Sequence, residues 1–364
     1  MSYTALLQPQ IQRLPIYQPG RPIELVAQEF GLQPEAVIKL ASNENPLGAS
    51  PRALDAARNS LKEAWLYPEN SAHFLCGDLS ERLGLPEECF TIGAGSNEIF
   101  YLLASLFMGP ETEAVMGEQA FVSYLISTIR AGGTPVRVPM PDYKHDLDAM
   151  RAAVTERTRL VYLPNPNNPT GTILPEAEVL AFARSLPDHV IFVYDEAYAE
   201  YQDPAPDLRP LIHEGRKVIC TRTFSKIYGL AGLRIGYGYS DPELAAQLNS
   251  VRPPFNTSTL AQQAARAALA DTEWVAKSRA TNAAGLQQLG AGFAKLGLEA
   301  VPSAANFILV QVPQAEEAYD ALQRQGVIVR PVAGYGLPQH LRVSVGTEPQ
   351  NARLLQSLDA FLNR

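Results

Sequence analysis

Between residues 89 and 239 short apolar or β-branched runs recur, at Cys89–Ile92, Ala114–Met116, Pro135–Val138, Leu160–Leu163, Val190–Tyr194, Val218–Thr221 and Ile235–Tyr239. Most are separated by stretches with helical spacing of apolar residues, namely Asn97–Met108, Phe121–Ala131, Asp146–Val154 and Glu176–Ser185. This alternation restricts the chain to the α/β class and predicts a mainly parallel seven-stranded sheet flanked by helices. The link between the last two runs is too short for an ordinary helical crossover, so one strand there is expected to run antiparallel. Ligands of such sheets bind outside the carboxyl ends of the strands, which directs attention to the residues that follow each run.

The flanking sequence has another texture. Pro15, Pro19 and Pro22 exclude helix and central strand from 15 to 22, so this segment is expected to run over a surface as an arm, followed by a helix at Ile23–Phe30. After Asp241 an Ala- and Gln-rich helical region extends from Pro242 to about Leu296, interrupted at Arg252-Pro253-Pro254. Strand-like runs return at Phe307–Val312, Val327–Arg330 and Leu341–Val345, with helices expected at Ala315–Gln325 and Asn351–Leu362. The division expected is an arm with part of a small domain at 1–45, a large domain at 46–245 and a smaller α/β domain at 246–364.

A net charge of -8 without a dense Lys/Arg stripe argues against nucleic acid as a partner and favours small molecules. Cys76, Cys89 and Cys220 are widely spaced, with no C-x-x-C pair, so neither a disulfide framework nor a zinc site is indicated. No signal-like N-terminus and no bilayer-length apolar run is seen, so a soluble, cytoplasmic protein is expected, with no membrane partner.

The chemistry is concentrated at the ends of the runs. Thr223-Phe224-Ser225-Lys226 follows the sixth run and leads into a glycine-studded turn, with Arg234 a little further on. A buried lysine with a lowered pKa can form a Schiff base with an aldehyde, and Thr223, Ser225 and Arg234 are groups that grip phosphate. Together they suggest pyridoxal phosphate, although an isolated S-K pair is equally at home in an exposed loop. Asp195, in Tyr194-Asp195-Glu196-Ala197-Tyr198, ends the fifth run, where a carboxylate is costly unless paired. A protonated pyridine nitrogen is a suitable partner, and the charged ring is then an electron sink. Asn168, in the N-P-T-G turn after the fourth run, and Tyr198 are placed to reach the ring oxygen. Gly95, Ser96 and Asn97 join the first run to a helix whose unpaired N–H groups suit an anion. Phe121, after the second run, is positioned to stack on a ring, or to serve the core.

Other readings lack their partners. The Asp195-Glu196 pair as a magnesium site would need a G-x-x-x-x-G-K-[ST] loop, which does not occur, and no serine lies in G-x-S-x-G. Near His145, Asp146 reads as a helix cap rather than a metal ligand, and no metal site is expected.

N-P-T-G, D-E-A-Y, S-K and the downstream arginine, in this order, resemble the class I/II aminotransferases of fold type I over essentially the whole chain. Within that group Tyr17-Gln18-Pro19-Gly20-Arg21-Pro22, Ser42-Asn43-Glu44-Asn45-Pro46 and Leu66-Tyr67-Pro68 resemble the histidinol-phosphate aminotransferases. The resemblance implies a homodimer in which Tyr67 reaches the neighbouring subunit's cofactor phosphate. It places Tyr17 and Asn45 at the substrate and gives Arg342 the substrate's acidic group. Arg330 stands where a second anion contact is plausible. The implied reaction passes an amino group between L-histidinol phosphate and 2-oxoglutarate in histidine biosynthesis, with an aromatic amino acid aminotransferase or a phosphothreonine decarboxylase-like enzyme as alternatives. Two features depart from the pattern: Glu69–Phe74 replaces the usual Asp-Gly sequence, and Phe121 stands where several relatives carry Tyr.

Overall fold

The computed structural model describes residues 2–15 and 19–364. All seven expected strands are present: β1 Phe90–Gly93, β2 Glu113–Gly117, β3 Thr134–Val138, β4 Thr158–Pro164, β5 Ile191–Asp195, β6 Val218–Thr223 and β7 Gly236–Ser240. They form one sheet in the order β1-β7-β6-β5-β4-β2-β3, and only β7 runs antiparallel to its neighbours. The short link from β6 to β7 has this consequence.

Both faces of the sheet are covered, which is why its strands are nearly continuous apolar runs. Successive residues point to opposite sides. Leu160, Tyr162, Ile191, Val193 and Ile219 enter one core, while Val161, Leu163, Phe192, Tyr194 and Cys220 enter the other. Helices Ser96–Phe107, Val122–Arg130, Leu147–Ala152 and Glu176–Ser185 lie within a residue or two of their expected positions. Asp146 is the cap of the third of these, accepting from Ala149 N at 2.9 Å.

A smaller sheet follows, with β8 Ala300–Val301, β9 Phe307–Gln311, β10 Arg330–Pro331 and β11 His340–Ser344 in the order β10-β11-β9-β8. Ile38–Lys39 pairs in parallel with Val327–Ile328, so the N-terminal segment joins the C-terminal part of the fold. The final helix, Glu348–Leu362, starts three residues before its expected start because Thr347 and Gln350 form a capping box ahead of it.

One expectation needs correction. The helical region after Asp241 breaks twice, giving Pro242–Val251, Thr259–Ala270 and Thr272–Lys295. The second break is made by Asp271, whose carboxylate accepts from Trp274 N at 3.2 Å. In addition, Ala261, Ala264, Ala265 and Ala268 are buried in the same core as Leu75 and Leu79, whereas Leu289 and Phe293 belong to the C-terminal core. The long helix Thr272–Lys295 contributes to both cores, with Val275 in the first and Leu289 and Phe293 in the second. Among the described residues no helix is long and apolar enough to cross a membrane.

Candidate active site

The carboxyl ends of five strands converge on a cavity of about 250 Å³. Gly95, Ser96 and Asn97 after β1, Phe121 after β2, Asn168 after β4, Asp195 and Tyr198 at β5, and Thr223, Ser225, Lys226 and Arg234 after β6 all line it. Residues up to 139 positions apart in sequence thus share one wall because the sheet aligns its strand ends.

At one end of the cavity is an anion cradle. Gly95 has φ +82°, a conformation that side chains disfavour, and a Cβ there would meet Arg234 Nη2 at 2.8 Å. Arg234 is itself left-handed at φ 55°, which keeps its guanidinium 3.4 Å from Ser225 Oγ. Thr223 Oγ1 and Ser225 Oγ are 2.9 Å apart. Gly95 precedes the first turn of Ser96–Phe107 without a side-chain cap, so the leading N–H groups of this helix remain available. Asn97 Oδ1 is buried with no hydrogen-bond partner among the described residues. Gly95→Val is expected to fill the cradle and to weaken binding of a phosphate-bearing ligand by at least about tenfold, read as a titration of the purified variant.

Asp195 occupies the opposite requirement, a buried negative charge. Its oxygens accept from Tyr124 Oη at 2.6 Å, Thr221 Oγ1 at 3.2 Å and Ala197 N at 3.1 Å. Burial pushes the carboxyl up to about 6, against the lowering effect of these three donors. None of the three is cationic, so a cationic group entering the cavity could still pair with Asp195.

Lys226 Nζ donates to Ser42 O at 3.2 Å and lies 5.9 Å from the centre of the Tyr198 ring. Burial, helped by the positive charge of Arg342, lowers the amine to about 8. A neutral amine is therefore accessible near neutral pH, which is what covalent and proton-transfer chemistry at nitrogen requires. Tyr198 Oη accepts from Asn43 Nδ2 at 2.9 Å. Asn168 Oδ1 accepts from Arg342 Nη1 at 2.6 Å, and Arg342 Nη2 donates to Ala41 O at 2.7 Å.

The family model for aminotransferase class I and II matches residues 35–358. The chain belongs to the class I and II aminotransferases. It is 46% identical to histidinol-phosphate aminotransferase 2 of Pseudomonas fluorescens, across 100% of this chain and 99% of that one. It is 48% identical to histidinol-phosphate aminotransferase 1 of Nitrosococcus oceani, across 97% and 95%. Among solved structures, histidinol-phosphate aminotransferase of Sinorhizobium meliloti in complex with pyridoxal-5'-phosphate superposes with a TM-score of 0.89 at 31% identity, covering 98% of this chain and 97% of that one.

Set against this aminotransferase frame, four expected residues among those described, Asn45, Arg330, Arg342 and Tyr67, lie away from the cavity lining. Asn45 is spent inside the chain: Nδ2 donates to Ile227 O at 2.7 Å and Ser278 Oγ at 2.9 Å, while Oδ1 accepts from Leu47 N at 3.0 Å. Its neighbours Ser42 and Glu44 line the cavity instead. Arg330 sits on edge strand β10, in register with Arg342 on β11, and Arg342 meets the cavity wall through Asn168. Tyr67 is 82% exposed and stacks on Phe255 at 4.7 Å, outside the cavity. Tyr17 lies outside the described residues.

Sequence reasoning missed Tyr124 and Asn43, whose hydroxyl and amide hold Asp195 and Tyr198. Tyr124 falls three residues after Phe121 on the next helix turn, and that spacing was the available signal. Phe121 meets it edge-on at 5.8 Å.

Proposed function

We propose that the chain is a pyridoxal-phosphate-dependent transaminase acting on L-histidinol phosphate and 2-oxoglutarate, with Lys226 as its catalytic amine. The observation that carries this reading is the convergence on one cavity of a buried lysine, a buried carboxylate without a cationic hydrogen-bond partner, and a glycine-made anion cradle. The cofactor fits these residues. Ser96, Thr223, Ser225, Arg234 and the backbone at Gly95–Asn97 would hold its phosphate, Asp195 its ring nitrogen, Asn168 and Tyr198 its ring oxygen, and Phe121 a ring face. When bound, pyridoxal phosphate supplies an electrophilic aldehyde carbon and a ring that accepts the electron pair left by a departing proton.

The chain's own groups do the remainder. Lys226 Nζ, lowered to about 8, takes the proton from the substrate Cα as general base. Asp195, anchored by Tyr124, keeps a negative charge at the end of the site, so that a protonated ring nitrogen is favoured there. Arg342, held by Ala41 O and Asn168, offers a guanidinium for the phosphate of one substrate and the carboxylates of the other.

The relatives' names support the substrate choice. Turnover of histidinol phosphate, phenylalanine and tyrosine with 2-oxoglutarate as acceptor tests it. Histidinol phosphate is expected to lead clearly in kcat/KM. A preference for the free aromatic amino acids would identify an aromatic aminotransferase instead.

A cytoplasmic homodimer goes with this reading. Tyr67 and Trp65 are each 82% exposed, Phe74 and Phe255 are exposed as well, and Tyr67 stacks on Phe255, apolar groups that a partner subunit would cover. Tyr67 would then complete the partner's phosphate cradle. Sedimentation velocity of the cofactor-loaded protein giving a monomer at micromolar concentration contradicts this arrangement.

A further inference from the structure

Immediately after Asp195 comes a second carboxylate, Glu196, which is 0% exposed and does not line the cavity. Its oxygens are taken inside the fold. Arg222 Nε donates to Oε2 at 3.0 Å and Arg222 Nη2 donates to Oε1 at 3.2 Å, a two-pronged pairing. Tyr239 Oη adds a bond to Oε2 at 2.6 Å, and Glu196 N donates to Thr221 O at 2.8 Å. Glu196 follows β5, Arg222 is on β6 and Tyr239 is on β7, so the cluster ties together the three strands nearest the catalytic lysine.

Stability alone is a weak reason for such a cluster, because a well-packed apolar set of the same volume is commonly no less stable than a buried ion pair. Position is the better reason. Two buried carboxylates on consecutive residues oppose each other's ionisation unless a cation offsets one of them. Arg222 is the cation here, and it pairs with Glu196 while leaving Asp195 to the cavity.

We infer that Arg222 is a positioning residue for transamination: by pairing with Glu196 it offsets the charge beside Asp195 and keeps Asp195 an anion, fixed at the end of β5, over the pH range in which the cofactor's ring nitrogen must be held. The inference rests on the assignment of Asp195 to that nitrogen. The other titratable groups facing Asp195 are the hydroxyls of Tyr124 and Tyr198 and the amine of Lys226. Glu196 faces Tyr239, Tyr194 and the Cys220 thiol besides Arg222, and Glu200 Oε1 lies 3.8 Å from Arg222 Nη1. Tyr228, Tyr237, Asp207 and Arg209 are further charged and titratable groups around Arg222. All of these stay in place in the variants below.

The test measures pyridoxal phosphate affinity from about pH 5 to 8 for the wild type, Arg222→Met, Glu196→Gln and the double variant, together with the acid limb of kcat for each loaded enzyme. Titrations of the cofactor itself are common to all four and cancel in the comparison. In Arg222→Met the acid limb is expected to move up by roughly one pH unit, the scale of an uncompensated charge on an adjacent buried residue. In Glu196→Gln it moves down, and in the double variant, where both charges leave together, it returns to the wild-type position. If Arg222→Met does not fold, the separation between Glu196→Gln and the double variant decides the matter. Affinities that fall equally at every pH, with coincident limbs, would show a merely structural cluster and overturn the inference. A wild type that takes up no pyridoxal phosphate would instead overturn the cofactor assignment beneath it.

Discussion

Lys226→Ala is expected to lower kcat/KM for transamination by more than about 10³-fold, since one substitution removes both the covalent attachment point and the general base. The fold is expected to survive, because among the described residues the Lys226 amine makes one hydrogen bond, to Ser42 O, and its burial is a cost rather than a gain. That cost has a measurable sign. The native amine loses its proton at about 8 and the free one at 10.5, so the unfolded chain carries more protons between those values. The contribution of Lys226 to stability therefore improves as pH rises through this window, and below it the full penalty is present. Cofactor-free Lys226→Ala should melt above the cofactor-free wild type at pH 7, with the gap narrowing toward pH 10 in calorimetric scans. Retained transamination, or a gap that does not depend on pH, would refute the role given to this amine.

Asp195→Asn is the second large effect, with kcat expected to fall by about 10²- to 10³-fold. The amide keeps the shape but carries no charge to favour a protonated ring nitrogen, and one of its two terminal atoms cannot accept the Tyr124 or Thr221 hydroxyl. Stability is expected to move the other way. Asp195 titrates at about 6 in the fold, above its value of 3.8 as a free group, so the native state holds more protons between these limits. Its contribution to stability is full below about 3.8 and is lost as pH rises through 6. At pH 7 the cofactor-free asparagine variant should be more stable than wild type, by on the order of 1 kcal/mol, while binding pyridoxal phosphate less tightly. Paired melting and cofactor titrations at pH 5 and 7 check both halves. Equal stability at the two pH values would mean that the carboxylate is not strained by burial.

How much of this was legible in the chain varies with the kind of residue. The strand ends Asn168, Asp195, Thr223, Ser225 and Lys226 were readable because each follows an apolar run directly, and a parallel sheet puts such positions on one edge. Asn45 was misread because its motif neighbours the cavity, and only the packed structure reveals that its amide is spent on Ile227 O and Ser278 Oγ. Tyr124 and Asn43 escaped notice for the converse reason: apart from the spacing of Tyr124 from Phe121, a tyrosine inside an amphipathic helix and an asparagine in a loop carry no mark of the Asp195 and Tyr198 they touch.

Sequence alone determined the class of fold and the single antiparallel strand of the seven-stranded sheet, because these follow from short-range patterns: run length and linker length. Tertiary structure decided which charges are paired. Arg222 and Glu196 lie 26 positions apart and Arg342 and Asn168 lie 174 apart, yet each pair meets in a hydrogen bond. It also decided that Tyr67 is exposed to solvent. Burial sets the Lys226 amine at about 8 and the Asp195 carboxyl at about 6, and burial belongs to the packed assembly of strands rather than to any stretch of the chain.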